Sequence, residues 1–538
     1  MANELPSGTD YKTYMKNKVT ESMFLSPVEE NEIAKEISKL NSKKSPGPDN
    51  ISPRILKCCE QIIKSPLANL FNFAIETAEY PSQLKIAKVI ALYKKSNAYL
   101  AENYRPISLL SCIDKIFEKI LHKRFMKFID KNKIIILEQF GFLPNHSTIH
   151  ALIEVTDNIR KSIDEGEFAL GIYLDLKKAF DTVNHRILLS KLDHYGFRGH
   201  VNKFIKSYLS NRQQYTVVNG KKSVISQIDT GVPQGSVLGP MLFIIYINDI
   251  INSIKDGKTT LFADDTSILL QDKNLKVLKY KSEKTLKDVY DWLVSNRLSL
   301  SWEKTFFVLY HSFKKKTDEL NELKVYDNII KRVKSVKYLG MTIDEHLTWR
   351  GHVNNLCNIL TRNFSLFYNI GNLIPANLKR QLYFSLVFPH IQYGIEIYGA
   401  CSKNLIEKIQ TLQNKLLKVL YEKPYRTNTN VLHTELKILK VIDIRKINIL
   451  KFVYMSINKT SIKQFHNHYT LHRNIHNRNS RQSNRLYPNG TPNTKYGEST
   501  IHYAGTKIWN SLDEDTRKCP SLYTFKRAIR LACIARYN

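Results

Sequence analysis

Residues 259–271, TTLFADDTSILLQ, decide how the rest of the chain is read. Two apolar arms flank Asp264 and Asp265, and that pattern predicts a hairpin with both carboxylates at its tip. Earlier in the chain, residues 169–176, ALGIYLDL, form a short apolar and β-branched run. It suits a buried strand with Asp175 at its end. Carboxylates set among Leu, Ile and Phe are costly to bury, and two adjacent ones repel. A divalent cation relieves both costs. Carboxylates from two neighbouring strands can hold two Mg²⁺ ions for an in-line phosphoryl displacement. The plain alternative is an exposed turn, since Asp-Asp is common in hairpins.

Around this pair, a helix is expected at about 183–195 and another at 283–295, with a short strand pair near 304–343. Upstream, helical spacing starts at Pro27 through Val28, Ile33, Ile37 and Leu40, with Glu29 and Glu30 in the favourable first turn. KKSPGPDN, from Lys43, ends it. Further helices are expected over 55–78 and 113–130, and 94–105 reads as a basic polar loop. From 346 onward the pattern is mostly helical. Val353, Leu356, Leu360, Phe364 and Phe367 make one stripe; Leu405, Ile409, Leu412, Leu416 and Val419 make another, both read as core faces.

The 538 residues suggest roughly three or four units of ~150 residues, ample for a real core. Lys and Arg number 81 against 49 Asp and Glu, a formal net charge of +32. Such an excess of cations points to a polyanionic partner, with nucleic acid the first choice. The 24 Phe and 29 Tyr exclude a disordered basic tail. The longest apolar run, 241–250, is interrupted by Asn248 and Asp249, well short of the ~18 residues of a membrane span. MANELPSGTD has no apolar signal core, so an intracellular protein of nucleus or cytoplasm is expected. Seven cysteines without a CxxC suggest neither zinc module nor disulfide framework. His466, His468, His472 and His476 include helix-like spacings, but read as a polar stretch rather than a metal site.

Seven motifs occur in order: YRPISLLSCIDKIFEKIL (104–121), QFGFLPNHSTIHAL (139–152), LDLKKAFDTVNH (174–185), GVPQGSVLGPMLFIIYIND (231–249), TTLFADDTSIL (259–269), NRLSLSWEKT (296–305) and KYLGMTIDEHLTW (337–349). The set resembles the reverse transcriptases of non-LTR retrotransposons, most nearly the jockey-like group. The resemblance runs motif by motif over about 27–350 and more loosely beyond. It implies an α/β right-hand polymerase with fingers, palm and thumb, followed by a mostly helical, basic C-terminal region. The divisions would be an N-terminal helical extension (1–90), fingers and palm (91–345), thumb (346–425) and basic C-terminal region (426–538).

The resemblance also assigns roles. Asp175, Asp264 and Asp265 match the metal-binding aspartates, with the Leu176 carbonyl assisting and Phe262 where relatives often carry Tyr. Phe180 matches the ring that excludes a ribose 2′-OH. Gln234 matches the residue against the incoming nucleotide, with Gly231, Gly235 and Gly239 allowing close approach. Lys304 matches the lysine that protonates pyrophosphate, although Ser301 and Trp302 depart from the usual LSLN. Lys94 and Arg105 match the residues that clamp triphosphate oxygens. Implied cofactors are two Mg²⁺ ions, or Mn²⁺, and the partners are RNA template, primer DNA and dNTPs, with no membrane.

The motifs begin after about 26 residues and include no endonuclease, RNase H set or zinc knuckle. The chain therefore reads as the polymerase portion of an element. A nucleic-acid-binding relic that has lost catalysis is the second reading; a DNA-templated polymerase of related palm is disfavoured by PQGSVLGP and RPISLL. The segment 461–497 interleaves Lys463, Arg473, Arg478, Arg481, Arg485 and Lys495 with Phe465, Tyr469, Tyr487 and Tyr496. That composition suits single-stranded nucleic acid, with rings stacking on bases; a solvated linker is the rival.

Overall fold

The computed structural model describes residues 10–94, 97–317, 320–475, 483–488 and 490–537. The fold mixes helices and sheets, and its contacts divide into two units. One comprises 1–142, 175–255 and 284–301; the other comprises 143–174, 256–283 and 302–538.

The first unit is built on helices and one mixed sheet. Its first α-helix, Glu30–Ser38, starts later than the spacing predicts because Glu29 and Glu32 form a reciprocal capping box there. Val28 precedes it in extended backbone, paired through both its N–H and C=O with the Asn72 amide. The single helix expected over 55–78 is two, Pro53–Cys58 and Glu60–Thr77, broken at Cys59 and stopped by Ala78 in the left-handed conformation. The loop expected over 94–105 ends at Asn103, since Tyr104 and Arg105 are in a strand. Ile86–Tyr93 and Tyr104–Leu109 are antiparallel strands, and only their connection is loop. The apolar run IAKVIALY, interrupted only by Lys88, was not assigned from the sequence; it is a strand that also pairs in parallel with Arg212–Val218.

The helix Cys112–Lys131 runs through this unit's core, with Ile116, Phe117, Ile120 and Leu121 fully buried. Phe117 stacks on Phe71 at 4.2 Å and meets Tyr80 and Phe204. Elsewhere in the core, Lys191 of the helix His185–His194 is wholly enclosed. Its ammonium donates to Asp249 at 2.6 Å and to the Tyr246 carbonyl at 2.6 Å, and lies over the Tyr246 and Trp292 rings.

The second unit centres on a four-stranded antiparallel sheet in the order Lys258–Phe262, Asp265–Asp272, Phe168–Leu174, Phe306–Tyr310. Every residue of Phe168–Leu174 is buried, which explains its continuous apolar reading. The helix expected from 283 begins at Leu275. The strand pair expected near 304–343 is five strands: Phe306–Tyr310 in the sheet, and two hairpins, Glu322–Val325 with Asn328–Lys331 and Ser335–Tyr338 with Met341–Asp344.

Helices dominate beyond 346, as expected, and Val353, Leu356, Leu360, Phe367, Ile409 and Leu416 are buried; Phe364 is half-buried. The C-terminal segment docks on the helix Thr148–Asp164 through two carboxylates. Asp164 accepts from the Thr494 amide at 2.6 Å and hydroxyl at 2.7 Å, and Asp157 accepts from the Ile501 amide at 2.7 Å. Burial pushes the Asp157 carboxyl up to about 6 despite Arg160 beside it. No described helix is long and apolar enough to cross a membrane. All seven cysteines are free thiols.

Removing Lys191 strands the Asp249 charge in a dry core. Lys191→Ala is expected to cost about 3–5 kcal/mol of stability, whereas the double change Lys191→Met, Asp249→Leu recovers most of it. Denaturant unfolding of the three proteins checks this.

Candidate active site

The hairpin register places the acidic pair. Phe262 pairs with Asp265, leaving Ala263 and Asp264 as a two-residue turn with Ala263 at φ 56°. The tip therefore carries both carboxylates, Asp264 half-buried and Asp265 exposed. In the neighbouring ladder Leu174 pairs with Thr266. Asp175 directly follows Leu174 in the chain, and Asp264 and Asp265 directly precede Thr266. In the same sheet the Tyr173 and Tyr310 hydroxyls share a buried hydrogen bond of 2.6 Å.

Lys304 is placed by the same sheet. Phe306 pairs with Tyr173, and the exposed Lys304 closes the short 3₁₀ turn Trp302–Lys304 just before it. After Asp175 the backbone is laced to 299–301. The Asp175 carbonyl accepts from the Ser301 amide at 2.8 Å, Lys177 donates to the Ser299 carbonyl at 2.9 Å, and Leu176 bridges Leu300.

Phe180 and Gln234 come together in the first unit. The Phe180 ring is half-buried, stacked on Phe243 at 4.4 Å, with Phe142 edge-on at 6.0 Å. Its carbonyl accepts from the Val232 amide at 2.8 Å. One residue on, Asp181 accepts from the Gln234 side-chain amide at 2.9 Å. Gln234 is also held by its own carbonyl, which accepts from the Ser108 amide at 2.8 Å. Burial raises the Asp181 carboxyl above the ordinary carboxylate value, opposed by the Gln234 hydrogen bond and by the positive charges of Lys178 and Lys94.

Two glycines make this packing possible. Gly231, at φ 85°, would set a Cβ 2.7 Å from the Asp181 carbonyl oxygen, and Gly235, at φ 131°, would overlap the Ser108 carbonyl oxygen. His185 adds a bond between its Nε2 and the Gly231 carbonyl at 2.7 Å.

Lys94 and Arg105 share one face of the Ile86–Leu109 hairpin. Arg105 pairs with Leu92, and Lys94 extends the ladder by donating to the Asn103 carbonyl at 2.9 Å. Both are exposed. The sequence reading missed three residues here: Asp181, His185 and Glu118, whose carboxylate accepts from the Val237 amide at 2.6 Å. Asp181 and His185 stand inside one of the seven motifs, so the signal was present. Glu118 also lies inside a motif, YRPISLLSCIDKIFEKIL (104–121), but nothing in that stretch points to Val237.

The candidate donors, Asp175, Asp264, Asp265 and the Leu176 carbonyl, offer carboxylate and carbonyl oxygens, a hard set that suits Mg²⁺ or Mn²⁺ and not a zinc site. Among the described residues no three His, Cys, Asp or Glu side chains are gathered into a metal shell. His466, His468 and His472 lie in irregular backbone and short 3₁₀ turns rather than on one helix, and His476 is outside the described residues.

The aromatic half of the 461–497 reading is corrected for two of its four rings, while Tyr487 is exposed and Tyr496 half-buried. Phe465 and Tyr469 are buried, because they pack with Phe452 in the core and cannot stack on bases. Lys463, Arg473, Arg485 and Lys495 are exposed; Arg478 and Arg481 are outside the described residues.

The reverse transcriptase (RNA-dependent DNA polymerase) family profile matches residues 93–343, the stretch that holds every candidate residue named around the sheet and the Gln234 loop. Over those residues the chain is similar to reverse transcriptases. It is 30% identical over 441 residues to the RNA-directed DNA polymerase from mobile element jockey of Drosophila melanogaster, covering 80% of this chain and 48% of the relative. The probable RNA-directed DNA polymerase from transposon BS of the same organism is 28% identical, covering 78% and 47%. That from transposon X-element is 26% identical, covering 84% and 49%. The chain thus spans about half the length of the curated relatives it matches.

Gly235→Ala tests the close approach. The added Cβ meets backbone that cannot swing aside, in a φ region foreign to alanine, so a loss of about 1–3 kcal/mol is expected. Thermal unfolding measures it.

Proposed function

We propose that the chain is an RNA-directed DNA polymerase that copies an RNA template of a retrotransposon. What supports this is the register of the second unit's sheet, in which Leu174, the residue before Asp175, pairs with Thr266, the residue after Asp265. Asp175, Asp264 and Asp265, with the Leu176 carbonyl, are the groups that would hold two Mg²⁺ ions, or Mn²⁺. Bound there, the ions supply charge neutralisation to the attacking and leaving oxygens.

The protein's own residues position the reactants. The primer 3′-oxygen forms a bond to the α-phosphorus of a dNTP while the bond to the pyrophosphate oxygen breaks, and the 3′-OH proton passes to solvent. Lys94 and Arg105 clamp triphosphate oxygens, and Lys304 donates a proton to the departing pyrophosphate. Phe180, braced by Phe243 and Phe142, occupies the space a 2′-OH needs. Gln234 and Gly235 lie against the nucleotide. In this reading 91–345 form fingers and palm, 346–425 the thumb, 1–90 an N-terminal extension and 426–538 a basic C-terminal region. Lys463, Arg473, Arg485 and Lys495, with Arg478 and Arg481, grip RNA through its phosphates.

Primer extension by the full chain on RNA and DNA templates tests the reading. Extension on RNA is expected. Binding without extension instead identifies the relic, and extension on DNA alone identifies a DNA-templated enzyme. Asp264→Asn is expected to keep the fold and RNA binding while lowering extension by roughly 10²–10³-fold or more, the scale of losing one preorganised charge-stabilising group. Phe180→Val is expected to raise ribonucleotide use relative to deoxynucleotide. An equal loss of both would make the ring a packing element only.

The C-terminal cations are tested separately. Changing Lys463, Arg473, Arg485 and Lys495 to Gln together is expected to flatten the salt dependence of RNA binding, by about 0.7 in log–log slope for each phosphate left without its cation. An unchanged slope makes the segment a linker.

A further inference from the structure

A fully buried carboxylate with no role in the chemistry described so far is an expense that asks for a reason. Glu118, on the helix Cys112–Lys131, is such a group, with no exposed surface. Its two oxygens serve two different elements. One accepts from the Tyr208 hydroxyl of the helix Gly199–Leu209 at 2.5 Å, and the other from the Val237 amide at 2.6 Å. Val237 is the N-cap of the helix Leu238–Tyr246, three residues after Gln234. Its own side chain cannot cap the helix, and the Ser236 hydroxyl is already committed to the Gly239 amide. The Val237 amide depends on Glu118.

Around Glu118 the charges are arranged to keep it available. Asp114, one turn earlier, accepts from the Tyr80 hydroxyl, and burial pushes its carboxyl well above the ordinary range, toward the neutral form. Arg212 lies over the Tyr208 ring and donates to the Tyr208 carbonyl. It supplies one positive charge beside two carboxylates; burial raises Glu118 as well, opposed by the Tyr208 and Val237 donors and by Arg212, and less far than Asp114.

The Gln234 loop is thus fixed at three points: the Ser108 amide on the Gln234 carbonyl, Asp181 on the Gln234 side chain, and Glu118 on Val237. All three partners, Ser108, Asp181 and Glu118, lie within the recognisable motifs. Glu118 alone ties the loop to the helical core.

We propose that Glu118 is a positioning residue for the incoming nucleotide, acting through Val237 to hold the Gln234 loop against its substrate. This rests on the polymerase reading above, and the experiment separates the two. Extension by the full chain is measured with the dNTP varied at saturating primer–template, and with primer–template varied at saturating dNTP. Glu118→Ala is expected to raise KM for dNTP by about ten-fold or more, the scale of one lost charge-assisted hydrogen bond, with KM for primer–template nearly unchanged. Glu118→Gln keeps an acceptor for Val237 and a donor for Tyr208, so it should restore most of the dNTP affinity.

Tyr208→Phe removes the other bond but leaves the Val237 contact. It should lower the unfolding temperature without moving KM for dNTP. Should Glu118→Ala fail to fold, Glu118→Leu fills the same space without an acceptor and carries the same expectation. An unchanged KM for dNTP in a folded Glu118→Ala or Glu118→Leu protein overturns the proposal. So does a matching kinetic defect in Tyr208→Phe, which would mark a purely structural network. An unmodified chain that does not extend at all overturns the polymerase reading instead.

Discussion

The register between Phe168–Leu174 and Asp265–Asp272 is the constraint on which the rest depends. Side chains alternate along a strand, so a slip of one residue would turn every core residue of the pair toward the opposite face. The enclosed position of Phe168–Leu174, with paired strands on both edges, forbids that slip. Once the ladder is fixed, the chain leaves it at Asp175 and enters it at Asp265. Ala263 completes the arrangement by accepting a positive φ, which keeps the turn to two residues. A wider loop would leave the carboxylates on flexible backbone.

A different kind of constraint shapes the Gln234 loop. Its position is set by close backbone approach and by polar groups delivered from distant elements. Gly231 and Gly235 remove the atoms that would hold the Asp181 and Ser108 backbones away. Asp181, Ser108 and Glu118 then supply hydrogen bonds to what remains. Pinning a short loop at several points reduces the conformations it must lose on meeting a ligand, which is the physical content of preorganisation. The Phe180 ring benefits likewise, since its backbone and its face are both held.

The excess of 32 positive charges is distributed unevenly in its consequences. Most cations are solvated, and exposed ion pairs contribute little to stability. Lys191 is one of a few buried exceptions, with Arg160 and Arg212, and is enclosed with Asp249 where loss of either partner is costly. In the C-terminal segment the reverse sorting occurs: Phe465 and Tyr469 turn inward to build a core, while the neighbouring cations stay in water. Asp157 and Asp164 dock this stretch by accepting backbone amides. It is therefore a folded element, and any grip on RNA must come from its charges rather than from those two buried rings.

The sequence by itself determined the ordered motifs, the buried strand ending at Asp175, the acidic hairpin, the helical character beyond 346 and the likeness to reverse transcriptases. Each is written in neighbouring residues, as a period, a turn or a contiguous motif. Boundaries set by competition were less legible. Val28 looked helical until the Asn72 amide claimed its backbone, and IAKVIALY went unassigned although Arg212–Val218 and Tyr104–Leu109 pair with it. Only the tertiary structure decided that Asp181 meets Gln234, that Glu118 holds Val237 and that Phe465 and Tyr469 are core residues. These contacts join residues far apart in the chain, so no local period announces them; they exist because burial obliges each enclosed polar group to find a donor or acceptor wherever the fold brings one near.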